Sequence, residues 1–223
     1  MGTKYLLVGL ACASLAAAAV AAAKPAGNAA AGQGKSAACG GCHGPDGNTP
    51  PEMYAAIKAP KLAGQVPEYI VKSLHDYKAA RRSNEVMSPQ AQAVAENDMA
   101  DIAAWFGSQK VRPNPAQNKE LLAQGEKIYM KGIGRPDVVA ACIGCHAPNG
   151  VGTRDWAKIM SKVPAVLAPA IGGQHAGYIS DQLKAYKTGK RATDPAKVMR
   201  DITGRMSEKD IAAVAEYIAT LGR

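Results

Sequence analysis

The chain has 223 residues, is 5% aromatic with a single Phe, Phe106, and carries a formal charge of +9 at neutral pH. That length allows one large domain or two of about 100 residues, and so few large side chains leave a 100-residue core hard to fill at native packing density. Ten basic residues face eight acidic ones in 24–112 and sixteen face ten in 113–223; no basic stretch is interleaved with aromatics, so no nucleic-acid partner is expected, while the cationic second half suits an acidic partner.

In chain order, residues 1–23 read as an export signal. Lys4 gives the positive start, Tyr5 to Val20 is apolar and Ala-rich, and Ala21, Ala22 and Ala23 supply a small-residue cleavage pattern. A retained membrane anchor competes with this reading, because the run approaches the roughly 20 residues needed to span, although its alanine content makes a weak anchor. Cys12 falls inside the segment and is expected to leave with it.

A first domain over 24–112 then carries Cys39-Gly40-Gly41-Cys42-His43, a segment from Pro60 to Gln65, an amphipathic helix bearing Tyr69, Leu74 and Tyr77, a loop with Val86 and Met87, and a helix from Asp98 to Phe106. Pro113 and Pro115 break any helix between Ser108 and Asn118 and stiffen the connector. The second domain, 113–223, opens with a helix from Asn118 to Lys131 and leads to Cys142-Ile143-Gly144-Cys145-His146. Pro169 to Gln174, a helix bearing Tyr178, Leu183 and Tyr186, and a loop with Val198 and Met199 follow. The last helix starts at Ser207 as N-cap with Asp210 at N3 and Met206 placed to staple against Ile211. Alternating β-branched runs are missing, so the expected fold class is all-α.

The two halves repeat one another. Pro60, Gly64 and Gln65 are echoed by Pro169, Gly173 and Gln174; Tyr69, Tyr77 and Arg82 by Tyr178, Tyr186 and Arg191; Met87 by Met199. The parts keep one order in both, which is the pattern of an internal duplication.

The chemistry lies in the twice-written Cys-x-x-Cys-His. Two cysteines three apart on a helical turn project to one side, where each thiol can form a thioether with a haem vinyl group, and the adjacent His can reach the iron. Cys39, Cys42, Cys142 and Cys145 are therefore read as covalent attachment points for two haems of type c, with His43 and His146 as proximal ligands. Structural zinc needs two pairs roughly 15–20 residues apart, a thioredoxin-type pair needs a βαβ setting, and a disulfide framework is unnecessary at this length. A haem in each half also answers the shortage of core aromatics.

For the sixth ligand, Met87 and Met199 match in register. Met99 and Met206 are rivals placed at the starts of final helices, and Met53, Met130 and Met160 lack counterparts. His75 is mirrored by Lys184, which points to a solvent-facing position, and His175 is read as an ordinary polar histidine. Pro60 and Pro169 could each lend a carbonyl to the proximal imidazole, or simply mark turns.

These motifs resemble the di-haem cytochrome c4 family across essentially the whole mature chain. The resemblance implies two tandem cytochrome c-type domains related by a pseudo-twofold, ligation by His43 with Met87 and by His146 with Met199, and haem propionates near the lobe interface. It implies electron transfer in the periplasm, from a quinol-oxidising complex towards a terminal oxidase, with membrane association left open. The stretch before Pro169, with Trp156 and Met160, is longer than its counterpart and departs from the pattern. With both axial positions filled the expected role is an electron carrier and not an enzyme; the alternative is the cytochrome subunit of a complex such as flavocytochrome c sulfide dehydrogenase.

Overall fold

In the computed structural model, residues 27–152 and 168–222 are described. The export signal, Cys12, Trp156 and Met160 lie outside them.

The first half begins with α1 (Ala29–Lys35), opened by the Asn28 side chain, which accepts from the backbone N–H groups of Ala30 and Ala31. This is ordinary N-capping of orphan amides. The chain passes almost at once into α2 (Ala37–His43), which carries the first Cys motif. Then come α3 (Pro51–Ile57), α4 (Pro67–Lys78) with Pro67 in its first turn, α5 (Met87–Ala93) and α6 (Met99–Ser108). In the second half, Asn118 caps a 3-10 turn, Lys119–Leu121, that runs into α7 (Leu122–Lys131). The remaining helices are α8 (Ile143–His146), α9 (Ala176–Lys187), α10 (Val198–Gly204) and α11 (Glu208–Thr220). Among the described residues no strand forms, and an isolated bridge joins Ile133 to Val139.

The two lobes are assembled alike. α1 packs on α6, and α7 packs on α11. Each crossing is closed by a glycine at the contact: a Cβ on Gly32 would lie 2.0 Å from the Asp101 carbonyl oxygen, and one on Gly125 would lie 2.1 Å from that of Ala213. α4 then covers α6 and α5, as α9 covers α11 and α10. The first core gathers Ile70, Leu74, Met99, Ile102 and Phe106; the second gathers Ile128, Tyr129, Ile179, Ile211 and Val214. Met99 and Met206 are 0% and 2% exposed within these cores, so their thioethers are committed to packing.

α11 starts as its sequence dictates. Ser207 Oγ accepts from the Asp210 amide at 3.1 Å, and Asp210 Oδ2 accepts from the Ser207 amide at 3.1 Å. Such a capping box contributes about 1 kcal/mol. The connector is pinned from both sides: the Arg112 amide donates to Asn48 of the first lobe, and the Asn114 amide donates to the Ala219 carbonyl of the second.

One expectation is corrected. Met87 and Met199 were expected in loops, yet Met87 is the first residue of α5 and Met199 the second of α10. Asn84 is the reason in the first lobe, since its Oδ1 accepts from the amides of Val86 and Met87 and starts a helix there. In the second lobe Asp194 does similar work, accepting from the amide and Nε of Arg200.

Candidate functional site

Each lobe builds the same short arrangement around one histidine. α2 sets Cys39 and Cys42 one turn apart and ends on His43; α8, with Cys142 at its N-cap, does so for Cys145 and His146. The chain then turns away sharply, through Gly44 at φ 80° and Ala147 at φ 63°.

His43 is 5% exposed and His146 8%. Nδ1 of His43 donates to the Pro60 carbonyl oxygen at 2.7 Å, and Nδ1 of His146 donates to that of Pro169 at 2.9 Å. A carbonyl can only accept, so the proton sits on Nδ1 and each Nε2 keeps its lone pair. Burial lowers both imidazoles, partly offset by the bond to the proline carbonyl. Neutral imidazole with one nitrogen anchored and the other open is the form that ligates metal. Thr49 adds a second donor to Pro60, its Oγ1 lying 2.8 Å from the carbonyl oxygen.

The four thiols are free of disulfides. Burial pushes Cys142 up to about 11 and raises Cys39 and Cys145 as well. Thiols held in the protonated form lack the thiolate character of a redox-active pair. Among the described residues, no group of three or more His, Cys, Asp or Glu could hold a metal ion. Cys39 and Met87 pack against the same core cluster in the first lobe, and Cys142 packs on that of the second. Met199 is half-buried at the start of α10.

The other two histidines part company. His75 pairs with Glu96 at 3.2 Å on the surface of α4, and its counterpart Lys184 pairs with Glu208 at 3.0 Å. His175 was read as an ordinary polar residue but is buried between the lobes, stacked on Tyr54 with ring centroids 4.1 Å apart.

The lobe interface is where sequence reasoning missed most. The Lys61 amide donates to Gln174 Oε1 and Gln174 Nε2 donates back to the Lys61 carbonyl, both at 2.9 Å. Ala170 and Gln65 repeat the exchange in the opposite sense, both bonds at 2.8 Å. Beyond this clasp Arg82 donates to Tyr178 and Gln182, while Arg191 donates to Tyr69 and Gln182. Arg82 also lies over the ring of Tyr77 and Arg191 over that of Tyr186. Burial would raise the Tyr69 phenol, but the Arg191 and Arg82 guanidinium groups outweigh it and hold it below its ordinary value. The signal was present: polar residues that recur in register in both halves. Their partners lie about a hundred residues away, and spacing alone does not name them.

A haem fits these residues. Two thiols and a histidine with a free Nε2 stand together in each lobe. The buried Arg191 Nε, which has no protein acceptor among the described residues, is suited to an anionic group such as a propionate.

Comparisons with known proteins follow the same division. The cytochrome c family matches residues 29–110 and 122–222. Cytochrome c4 of Pseudomonas aeruginosa is 41% identical over 197 residues, covering 88% of this chain and 90% of that protein. The thiosulfate dehydrogenase electron acceptor of Stutzerimonas stutzeri is 31% identical over 188 residues, covering 83% of this chain and 80% of that protein. The crystal structure of reduced recombinant cytochrome c4 from Pseudomonas stutzeri superposes with a TM-score of 0.76 at 40% identity, covering 88% of this chain and all of that one.

Proposed function

Because this chain belongs to the di-haem cytochrome c4 family, whose members are electron carriers holding covalently attached haem c, we propose that Cys39 and Cys42 tether one haem and Cys142 and Cys145 the other. In this reading His43 and Met87 would hold the iron in the first lobe, and His146 and Met199 in the second. The observation that carries it is the twice-built histidine, buried, with Nδ1 engaged by a proline carbonyl and Nε2 left for metal.

When bound, each haem supplies a one-electron ferric–ferrous couple. The chain's own part is to hold, orient and shield. Pro60 and Pro169 fix the plane and tautomer of the imidazoles and raise their basicity. Met87 and Met199 would supply a thioether beside each imidazole, a ligand pair that favours ferrous iron. With these side chains holding the iron, no position would be left for a substrate, and the chain's role would be transfer alone. The Arg82 and Arg191 cluster gives anionic propionates a place between the lobes.

We place the carrier in the periplasm, taking electrons from a quinol-oxidising complex and passing them to a terminal oxidase. The export-type leader supports that location, and among the described residues no helix is long and apolar enough to cross a membrane. The acceptor of thiosulfate dehydrogenase among the relatives favours a second reading, in which the donor is a periplasmic dehydrogenase. The test mixes oxidised protein separately with a quinol-oxidising complex plus quinol and with thiosulfate dehydrogenase plus thiosulfate. Rapid reduction by the first alone supports the respiratory route, by the second alone the dehydrogenase route, and by neither rejects both. Mass spectrometry of the exported protein should show two added haem masses, and the oxidised spectrum a weak sulfur-to-iron band at the red edge of the visible.

A further inference from the structure

The peptide group between Pro60 and Lys61 faces two ways. Its carbonyl oxygen accepts the His43 Nδ1 proton at 2.7 Å, and its N–H donates to Gln174 Oε1 of the opposite lobe at 2.9 Å. The peptide between Pro169 and Ala170 does the same, with His146 at 2.9 Å on one side and Gln65 of the first lobe at 2.8 Å on the other. A single planar, conjugated unit thus joins each histidine to a side chain of the other lobe. Gln174 is 7% exposed, so its bonds are shielded from competing water.

We propose that Gln174 and Gln65 are positioning residues that act crosswise: each sets the donor strength of the proximal histidine, and so the reduction potential, of the haem in the lobe to which it does not belong. The inference rests on His43 and His146 being iron ligands, as proposed above. Hydrogen bonds in a chain polarise one another. An acceptor on the amide N–H pushes electron density to the carbonyl oxygen of the same peptide. That oxygen then draws harder on the Nδ1 proton, and the imidazole becomes a stronger donor that favours ferric iron. Removing the glutamine acceptor should weaken the chain and raise that one potential.

The reciprocal geometry supplies an internal control, because a general loosening of the interface would affect both lobes. Loosening would also admit water, which favours the charged ferric state and shifts potentials downward. The crosswise effect has the opposite sign for loss of the acceptor and is confined to one haem.

The experiment is a potentiometric titration of the haem-loaded protein and of Gln174→Met, Gln174→Glu, Gln65→Met and Gln65→Glu. Spectra of the reduced proteins follow the Nδ1 proton resonances of His43 and His146 by nuclear magnetic resonance. Gln174→Met should raise the potential of the first-lobe haem and shift the His43 resonance, leaving the second lobe unmoved. Gln174→Glu, a stronger acceptor of nearly the same shape, should lower that same potential. The Gln65 variants should do likewise to the second-lobe haem and His146. Shifts confined to the variant's own lobe, equal shifts in both lobes, or no shift in any variant that retains both haems would overturn the proposal. Unmodified protein lacking the sulfur-to-iron band or the Nδ1 signals would instead indict the ligand assignment.

Discussion

The guanidinium of Arg82 in the first lobe donates to the hydroxyl of Tyr178 in the second at 2.9 Å. The bond is answered in the other direction by Arg191 on Tyr69, and Gln182 accepts from both arginines. Two like charges are thereby held close together between the lobes, each over an aromatic face. Cations in such a setting depend on every acceptor they have.

Tyr178→Phe and Tyr69→Phe keep the rings and remove the acceptors. Each should cost about 1.5–3 kcal/mol, the range for hydrogen bonds to charged groups. Because both arginines lean on Gln182, the double variant should depart from additivity. Denaturant unfolding of the haem-loaded proteins measures this. A double variant losing less than about 0.5 kcal/mol, as an exposed ion pair would, would mean that the cluster is solvated.

What the sequence made legible was whatever a local rule governs. The spacing of Cys39, Cys42 and His43, the Ser207–Asp210 cap and the order of the repeated parts are short-range features, and they appear in the structure as read. Pro60 and Pro169 could be placed beside the histidines only as one of two options, and the structure puts both carbonyls within hydrogen-bonding distance. Local rules also explain the misplacement of Met87. Pro89 falls in the first turn of α5, where its missing N–H costs nothing, so it does not stop a helix that begins at Met87. The interlobe contacts were not legible because they are tertiary. Gln174 meets Lys61 across 113 positions, and His175 meets Tyr54 from another lobe. The repeat showed that these polar residues recur without showing what they touch.

Thr49 shares the Pro60 oxygen with His43 and so competes for its lone pairs. Thr49→Val removes that competitor with almost no change of shape. The stability cost should be about 0.5–1.5 kcal/mol for one lost hydrogen bond. The freed carbonyl should draw more strongly on His43, and the first-lobe haem should fall in potential while the second holds its value. A titration in which that potential rises or stays put would refute the assignment of Pro60 as an electronic partner of His43.

The helix crossings can be tested with single methyl groups. Gly32→Ala and Gly125→Ala each drive a Cβ into a carbonyl oxygen of the facing helix, which cannot move without shifting backbone. Overpacking of this kind costs about 1–3 kcal/mol or more. Gly34→Ala, two residues after Gly32 in the same helix and with open space around its Cβ, should instead gain up to about 1 kcal/mol from helix propensity. Denaturation midpoints of the three variants decide it, and equal effects at Gly32 and Gly34 would mean that α1 is not clamped against α6.

Acid should act first between the lobes. Burial, assisted by the nearby Lys61 ammonium, lowers His175 to about 4, while a bond with the Thr49 backbone pulls the other way. In the unfolded chain the same imidazole titrates near its ordinary value of 6.5. Between those two points the unfolded state binds a proton that the folded state refuses, so stability rises with pH across the window. The contribution is complete above about 6.5 and is lost as pH falls towards 4. His175→Phe preserves the stack on Tyr54 and removes the titrating group. It should lower stability at pH 7.5 by about 0.5–1.5 kcal/mol for the lost Thr49 bond and flatten the decline from pH 6.5 to 4, measured as denaturant midpoints on the haem-loaded protein at each pH. A variant whose midpoints fall as steeply as those of the unmodified chain would place the acid-sensitive group elsewhere.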